Sequence, residues 1–361
     1  LIAAAQHPEQ LAYYHGAALA DALFKARPDD FVVHEQFIPT FNAAGEHLYV
    51  LVEKREQNTQ WVAAQLAQAA AIAPNAVGFC GLKDRRAVTR QWFSLHLPGR
   101  DIAVSSLAGH GYTLLESGRG LQKLRRGDHS GNYFSVVLRQ LQVAPEQLQE
   151  RLERLDGGGF ANYFGAQRFG RDASNLAEVE RLVTAGKLVG DRGRQRSRAR
   201  QKSRSGQRPS AVNHNGLLLS AARSWLFNQV LHARLSASCE PLLTSDDGPL
   251  WGRGRSLAAP PLAAAEAQWL APWQHWCEAL EHSGLQQQRR PLLAFPQQLQ
   301  WQWLDGDTLQ LSFYLAAGEY ATSLLRELVT LRQPVPTAAA GAIDCAIVAP
   351  ANNSRCGGDK V

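Results

Sequence analysis

With 361 residues, 45% hydrophobic and 19% charged, the chain is long enough for about two domains and can bury a sizeable core, which excludes a disordered or fibrous class. Its 38 Lys and Arg against 32 Asp and Glu give a formal charge of +6, a bias towards acidic partners, of which nucleic acid is the commonest. Five scattered cysteines (Cys80, Cys239, Cys277, Cys345, Cys356) form no CxxC pair, the beginning of the chain carries no basic leader, and no run reaches the roughly 18 apolar residues of a membrane helix. Reduced thiols and a cytoplasmic location are therefore expected, with neither secretion nor membrane insertion.

In chain order, "FVVHEQF" and "HLYVLVEK" read as two strands, and "IPTFNAAGE" between them supplies Pro, Asn and Gly for a turn, so a hairpin or meander is expected. Asn58 or Thr59 is placed to cap a helix over "QWVAAQLAQAAAIA", with Trp61, Val62, Leu66 and Ala69 on one face and Pro74 and Asn75 ending it. "AVGFCG" and "VTRQWFSLHLP" are two further strands, which leaves "LKDRRA" as their connection. Strands follow at Tyr112 to Ser117 and Tyr133 to Leu141, then a helix from Pro145 that aligns Leu148, Leu152 and Leu155.

"DGGGF", Asp156 to Phe160, is the clearest boundary in the chain. Beyond it the texture becomes helical, notably over "LLLSAARSWLFNQVLHARLS", where Leu218, Ala222, Trp225, Leu226 and Val230 fall at helical spacing. Between Arg192 and Arg208 lie eight Arg or Lys residues and no acid, the composition of a basic loop that cannot bury enough apolar surface to fold alone. Strand, Gly turn and helix return in "LQLSFYLAAGEYATSLLRELV", and after Pro334 no sustained period remains, so the tail is expected to be weakly ordered.

Common enzyme signatures are missing: there is no GxSxG, no GxxxxGK[ST], no HExxH and no dinucleotide GxGxxG. The 11 histidines show no metal-ligand grouping, so no metal is expected. What stands out is Asp84 in "GLKDRRAVTRQW", among Lys83, Arg85, Arg86 and Arg90. Fixed positive charge favours the carboxylate anion, which suits a nucleophile better than a proton donor, and Lys83 with Arg85 or Arg86 could neutralise phosphates of a nucleotide substrate. Composition alone favours the plainer reading, a surface ion pair worth about 0–1 kcal/mol.

Six motifs in order give a sharper answer: "KARPDDFVVHE" from Lys25, "GFCGLKDRRAVTRQW" around Asp84, "GNYF" from Gly131, "NYFGAQRFG" from Asn162, "LSAARSWLFN" and "YATSLLREL". Spread over about residues 20 to 332, this series resembles that of the TruD pseudouridine synthases. GxKDxxAxTxQW and NYFGxQRFG are each specific, and the others are supportive. The resemblance implies that Asp84 is the catalytic aspartate, that Phe31, Asn132 and Tyr320 line a uridine pocket, and that Lys25, Lys83 and Phe134 lie near the site. The family commonly has Phe at the position of Tyr320; the ring can still stack, while its hydroxyl needs a partner.

By the same resemblance the fold class is α/β (α+β): a catalytic domain with a mixed, largely antiparallel sheet, interrupted by an inserted α/β domain. The implied division is residues 1–158 for the first catalytic part, 159–294 for the insertion, 295–335 for the return and 336–361 for the tail. Asn162, Tyr163, Phe164, Gln167, Arg168 and Phe169 read as a packed hinge in preference to an RNA contact. The basic Arg192 to Arg208 segment reads equally as an RNA-facing arm or a solvated loop.

The function implied is isomerisation of a tRNA uridine, at position 13 in the family, to pseudouridine. No redox change occurs, so no cofactor is required; the partner is tRNA, and protein partners stay open. An extruded uridine needs an aromatic-lined pocket and a polar group that reads the uracil edge, roles suited to Phe31 or Tyr320 and Asn132. Whether Asp84 attacks C1′, adds to C6 or promotes elimination stays open at this level. The competing class is a non-catalytic RNA-binding or RNA-chaperone protein on the same scaffold, and a nucleotide-phosphate enzyme ranks last for want of a phosphate loop.

Overall fold

The structure, a computed structural model, describes residues 10–188, 212–237 and 241–334. The Arg192 to Arg208 segment and the 336–361 tail lie outside the described residues. The first half folds as β1 (Ala20–Phe24), β2 (Phe31–Gln36), β3 (His47–Arg55), α1 (Thr59–Ala69), β4 (Val77–Phe79), β5 (Val88–His96), β6 (Tyr112–Gly120), β7 (Gly131–Arg139) and α2 (Pro145–Gly158). There follow β8 (Phe160–Ala161), α3 (Ser174–Thr184), α4 (Val212–Ala237), β9 (Asp247–Leu250), α5 (Pro260–Trp269), α6 (Gln274–Glu281), β10 (Gln288–Pro291) and β11 (Leu293–Ala294). The chain then adds β12 (Gln297–Trp303), β13 (Leu309–Ala316), α7 (Ala321–Arg326) and β14 (Val329–Arg332).

Among the described residues one ten-stranded sheet runs β12-β13-β7-β2-β5-β3-β6, with β1 pairing β14 and β7, and β4 pairing β5. Only β1 with β14 and β2 with β5 pair in parallel; the other contacts in this sheet are antiparallel, so it is mixed and largely antiparallel as expected. The expected hairpin between β2 and β3 is corrected: β5 lies between them, parallel to β2 and antiparallel to β3. The Pro, Asn and Gly of residues 38–46 therefore span a strand position instead of closing a tight turn.

α1 forms over the expected residues but turns a different face inward. Thr59, Val62, Ala63, Leu66 and Ala67 are buried, Trp61 is exposed, and Ala69 faces solvent. The small Ala63 and Ala67 permit close approach to Val50, Val52, Phe93 and Leu95, an apolar surface that the wider indole would hold off. Neither expected cap makes a side-chain cap bond: the Thr59 hydroxyl donates to Gln91 Oε1 at 2.9 Å and accepts from the Lys83 amide at 2.9 Å. α2 buries Leu148, Leu152 and Leu155 as its period predicts, in the same core as Phe31, Val33, Phe134 and Val136.

A separate core gathers α3, α4 and α6. Leu218, Ala222, Trp225, Leu226 and Val230 of α4 are all buried in it, with Leu176, Val179, Trp276 and Leu280. Where the chain leaves the main sheet and where it returns are side by side, because β8 and β11 pair antiparallel through Ala161 with Leu293 and Phe160 with Ala294. The helical core also takes in Leu11 and touches Tyr14, Phe295 and Tyr320, so it is joined to the sheet by packing as well as by chain. Among the described residues no helix is long and apolar enough to cross a membrane, and Cys80 and Cys277 are free and buried.

Phe169 is fully buried with its ring 5.4 Å from that of Trp225, a packed position with no surface left for RNA. Phe169→Ala is expected to destabilise the protein by about 3–5 kcal/mol, the usual result of emptying a core aromatic site. Urea unfolding followed by circular dichroism checks this, and a loss below about 1 kcal/mol would contradict the packing described.

Candidate active site

The floor of the site comes from β2 and β7. Val33 lies opposite Phe134 and Glu35 opposite Asn132, while Phe313 of β13 lies opposite Phe134, so these side chains share one face of the sheet. Strand periodicity adds Phe31 to that face, two residues before Val33. Phe31, Val33 and Phe134 are buried, with the Phe31 and Phe134 rings 6.0 Å apart. Apolar alternation thus supplies an aromatic floor before any catalytic group is placed.

Asp84 sits above this floor in the irregular connection from β4 to β5. Its carboxylate Oδ2 accepts a hydrogen bond from Lys25 Nζ at 3.1 Å, and its carbonyl accepts from Lys54 Nζ at 2.8 Å. Lys25 follows β1 directly and has φ of 58°, a left-handed conformation uncommon outside glycine. There its ammonium lies 4.0 Å from the centroid of the Phe31 ring and 4.9 Å from that of Phe24, within cation–π range. The cation on the Asp84 carboxylate is thus Lys25, 59 positions away in sequence, and none of the adjacent basic residues.

Lys83 is not available for the phosphate role that its position in the sequence suggested. Its ammonium donates to Glu35 Oε2 at 2.7 Å, in a pair whose side chains are 6% and 0% exposed. Glu35 Oε1 also accepts from the Trp92 amide at 3.2 Å. Arg85 and Arg86 are exposed and remain open to solvent.

A cavity of about 310 Å³ opens between the floor and this loop, lined by Phe31, Lys83, Asp84, Asn132, Phe134 and Tyr320. Lys25 stands behind Asp84 without lining it. Six of the seven residues singled out in the sequence therefore face one space. Asn132 Oδ1 is buried beside this space without a hydrogen-bond partner among the described residues, an unsatisfied acceptor at the cavity wall. Opposite, Tyr320 N-terminally flanks α7 and packs edge to face on Phe164 at 5.8 Å. Gly165 makes this fit possible, since a Cβ there would lie 2.8 Å from Thr322 Oγ1 and 3.3 Å from the Tyr320 ring.

His129, Gln167 and Glu319 also line the cavity, and Lys54 and Glu35 support it; sequence reasoning named only Gln167 among these, as part of a hinge. Burial pushes the Glu319 carboxyl up and the His129 imidazole down, Lys83 adding to the latter, and His129 Nδ1 has no partner among the described residues. Burial also raises the Cys80 thiol to about 12, with Glu35 adding to it, which makes Cys80 an inert neighbour. Arg290, stacked 4.3 Å over Phe164, is brought down to about 10 by burial, with Tyr320 and Glu319 opposing that shift. A signal for Lys54 was present: it follows Val50 and Val52 on the buried face of β3. No group of three or more His, Cys, Asp or Glu able to hold a metal occurs among the described residues.

Comparison with known proteins identifies the family. A family model described as tRNA pseudouridine synthase D (TruD) matches residues 10–190. A curated relative from Cellvibrio japonicus, named tRNA pseudouridine synthase D, is 43% identical over 329 residues, covering 88% of this chain and 92% of its own. One of the same name from Aeromonas hydrophila is 40% identical over 354 residues, covering 89% and 94%. A crystal structure from Methanosarcina mazei, described as a candidate protein of that name, shares the fold with TM-score 0.63 at 17% identity, over 89% of this chain and 97% of that one.

The Lys54 ammonium, fully buried, is brought down to about 8 from 10.5, by burial first, with Asp84 opposing and Lys83 adding. Between those two values the unfolded chain binds more protons than the folded one, so stability rises with pH from about 8 towards 10.5. Below about 8 the cost of burying the charge is present in full. The ¹³Cε resonance of Lys54 is expected to titrate near 8, and Lys54→Met to flatten the rise in unfolding free energy over that window. A midpoint above 10 would contradict the buried placement.

Proposed function

Because the chain belongs to the tRNA pseudouridine synthase D family, matched by its family model and by relatives about 40% identical over most of the chain, we propose that the Asp84 cavity converts a tRNA uridine to pseudouridine. The observation that carries the reading is a carboxylate ion-paired to Lys25 beside an aromatic cavity at whose wall the Asn132 acceptor has no partner among the described residues. At about 310 Å³ the cavity sits at the low end of ligand pockets, roughly 300–1,000 Å³, a size for one extruded nucleoside.

The reaction breaks the bond from N1 of uracil to C1′ of the ribose and forms a bond from C5 to the same carbon. The proton on C5 is lost and N1 gains one, so product and substrate are isomers. Asp84 is the nucleophile: Lys25 engages Oδ2, and Oδ1 makes no hydrogen bond among the described residues, which leaves it for the substrate. Phe31 and Tyr320 hold the base between aromatic surfaces while it turns, and Asn132 Oδ1 accepts the uracil N3–H. Cytosine has an acceptor at N3 and would leave two acceptors facing, which gives preference for uracil.

We place the target at position 13 of tRNA and the enzyme in the cytoplasm, where tRNA is its partner. Residues 159–294 act as an inserted unit between two parts of the catalytic domain, 1–158 and 295–335; their separate core and the pairing of β8 with β11 support that division.

Unmodified tRNA incubated with wild-type protein is expected to show one new carbodiimide-dependent primer-extension stop, at position 13, absent with Asp84→Asn although that variant still binds tRNA. If both proteins bind a broad tRNA pool and neither gives a stop, the non-catalytic RNA-binding reading replaces this one. Asn132→Ala should lower kcat/KM by about tenfold to a hundredfold, the loss of one buried hydrogen bond to the base. An unchanged value would remove Asn132 from base recognition.

A further inference from the structure

The loop that carries Asp84 has no regular secondary structure, yet it is gripped on both sides. The Gly81 carbonyl accepts from Gln91 Nε2 at 3.0 Å, the Lys83 amide donates to Thr59 Oγ1 at 2.9 Å, and the Asp84 carbonyl accepts from Lys54. A further grip is ionic. Lys83 Nζ lies 2.7 Å from Glu35 Oε2, the Glu35 side chain is wholly buried, and its other oxygen is held by the Trp92 amide.

A buried ion pair is poor evidence for stability, because desolvating two charges commonly cancels their attraction and apolar replacements of similar volume are often neutral or stabilising. Packing therefore does not call for a charged pair here. Position does: Glu35 lies on the same strand face as Phe31 and Val33, and Lys83 is the residue immediately before Asp84. The pair ties the aromatic floor directly to the reacting loop. We infer that Glu35 is a positioning residue, acting through Lys83 to fix the Asp84 carboxylate at the height above Phe31 that the reaction needs.

This rests on the reading of Asp84 as the nucleophile. A residue that works by placement affects the chemical step while leaving tRNA affinity alone, and a misplacement of about 1 Å can lower a rate about a hundredfold. The test is the double variant Glu35→Leu/Lys83→Met, which removes both charges at similar volume and leaves no unpaired one. It is compared with wild type and Asp84→Asn for melting temperature, tRNA KM and single-turnover rate.

The expected result is a melting temperature within about 5 °C of wild type, the removed charges offsetting the acceptor that the Trp92 amide loses, with KM within about twofold and a rate lowered at least about tenfold. A rate within about twofold of wild type overturns the inference. So does a KM increase that accounts for the whole loss, which would make Lys83 a binding group, and so does failure to fold, which would assign the pair to stability. If wild type forms no pseudouridine, the underlying function fails and this inference with it; an active wild type with an unchanged double variant removes the inference alone.

Discussion

The Lys25–Asp84 ion pair joins residues 59 positions apart in the chain across the aromatic floor. Lys25 follows β1, which is held in register by β14 from Ala20 with Val329 to Leu23 with Arg332, and by the far end of β7. The strand that presents the cation is thus clamped by one of the last described segments of the chain. The left-handed backbone at Lys25 costs on the order of 1 kcal/mol or more, and the ion pair and the Phe31 contact at 4.0 Å offset a cost of that size. A strained residue kept at a site is an observation from which function can be argued, and here it delivers the ammonium to Oδ2.

Three lysines surround this one aspartate, and each does something different. Lys25 meets the carboxylate, Lys54 the main-chain carbonyl, and Lys83 turns away to Glu35. The division follows from backbone geometry, since adjacent side chains of an extended or looped segment diverge and cannot converge on one group. Lys54 comes from β3, on the far side of β5, and Lys25 from just after β1, which lies in line with β2 along one edge of β7; the parallel pairing of β2 with β5 sets the start of β5, and with it the end of the Asp84 loop, next to Phe31. The parallel pair is what brings the loop over the aromatic floor.

Much of this was legible from sequence. Alternation located β3, β5 and β7, the leucine spacing located α2, and the α4 stripe of Leu218, Ala222, Trp225, Leu226 and Val230 is the buried one. The motif series gathered residues from positions 25 to 320 that line or support one cavity. Pairing was not legible, because a strand's neighbour is not written in its own alternation; the apparent β2–β3 hairpin fails because β5 intervenes. Nor were partners: charge density around Asp84 suggested Lys83, Arg85 and Arg86, whereas Lys83 turns to Glu35, a carboxylate wholly out of solvent. Glu35 stood inside a quoted motif, and only its register opposite Asn132 reveals which face it takes.

The cavity needs its second wall from elsewhere. A sheet face, even a twisted one, does not enclose a nucleoside, and pockets form where a second layer meets the first. That layer is Tyr320, leaning on Phe164 and Gly165 of the segment just after β8, with Arg290 stacked on Phe164 from the other side. Phe164 belongs to the helical core and Tyr320 packs against it, so the wall is built at the seam between the two cores. Arg290 donates to the Gly318 carbonyl at 2.9 Å and to Asn162 Oδ1, bonding the turn before Tyr320 to the segment after β8. The helical unit therefore sets the width of the cavity between the Phe31 floor, the Asp84 loop and Tyr320, so the space that the carboxylate faces is fixed from across the seam as much as by the sheet beneath it.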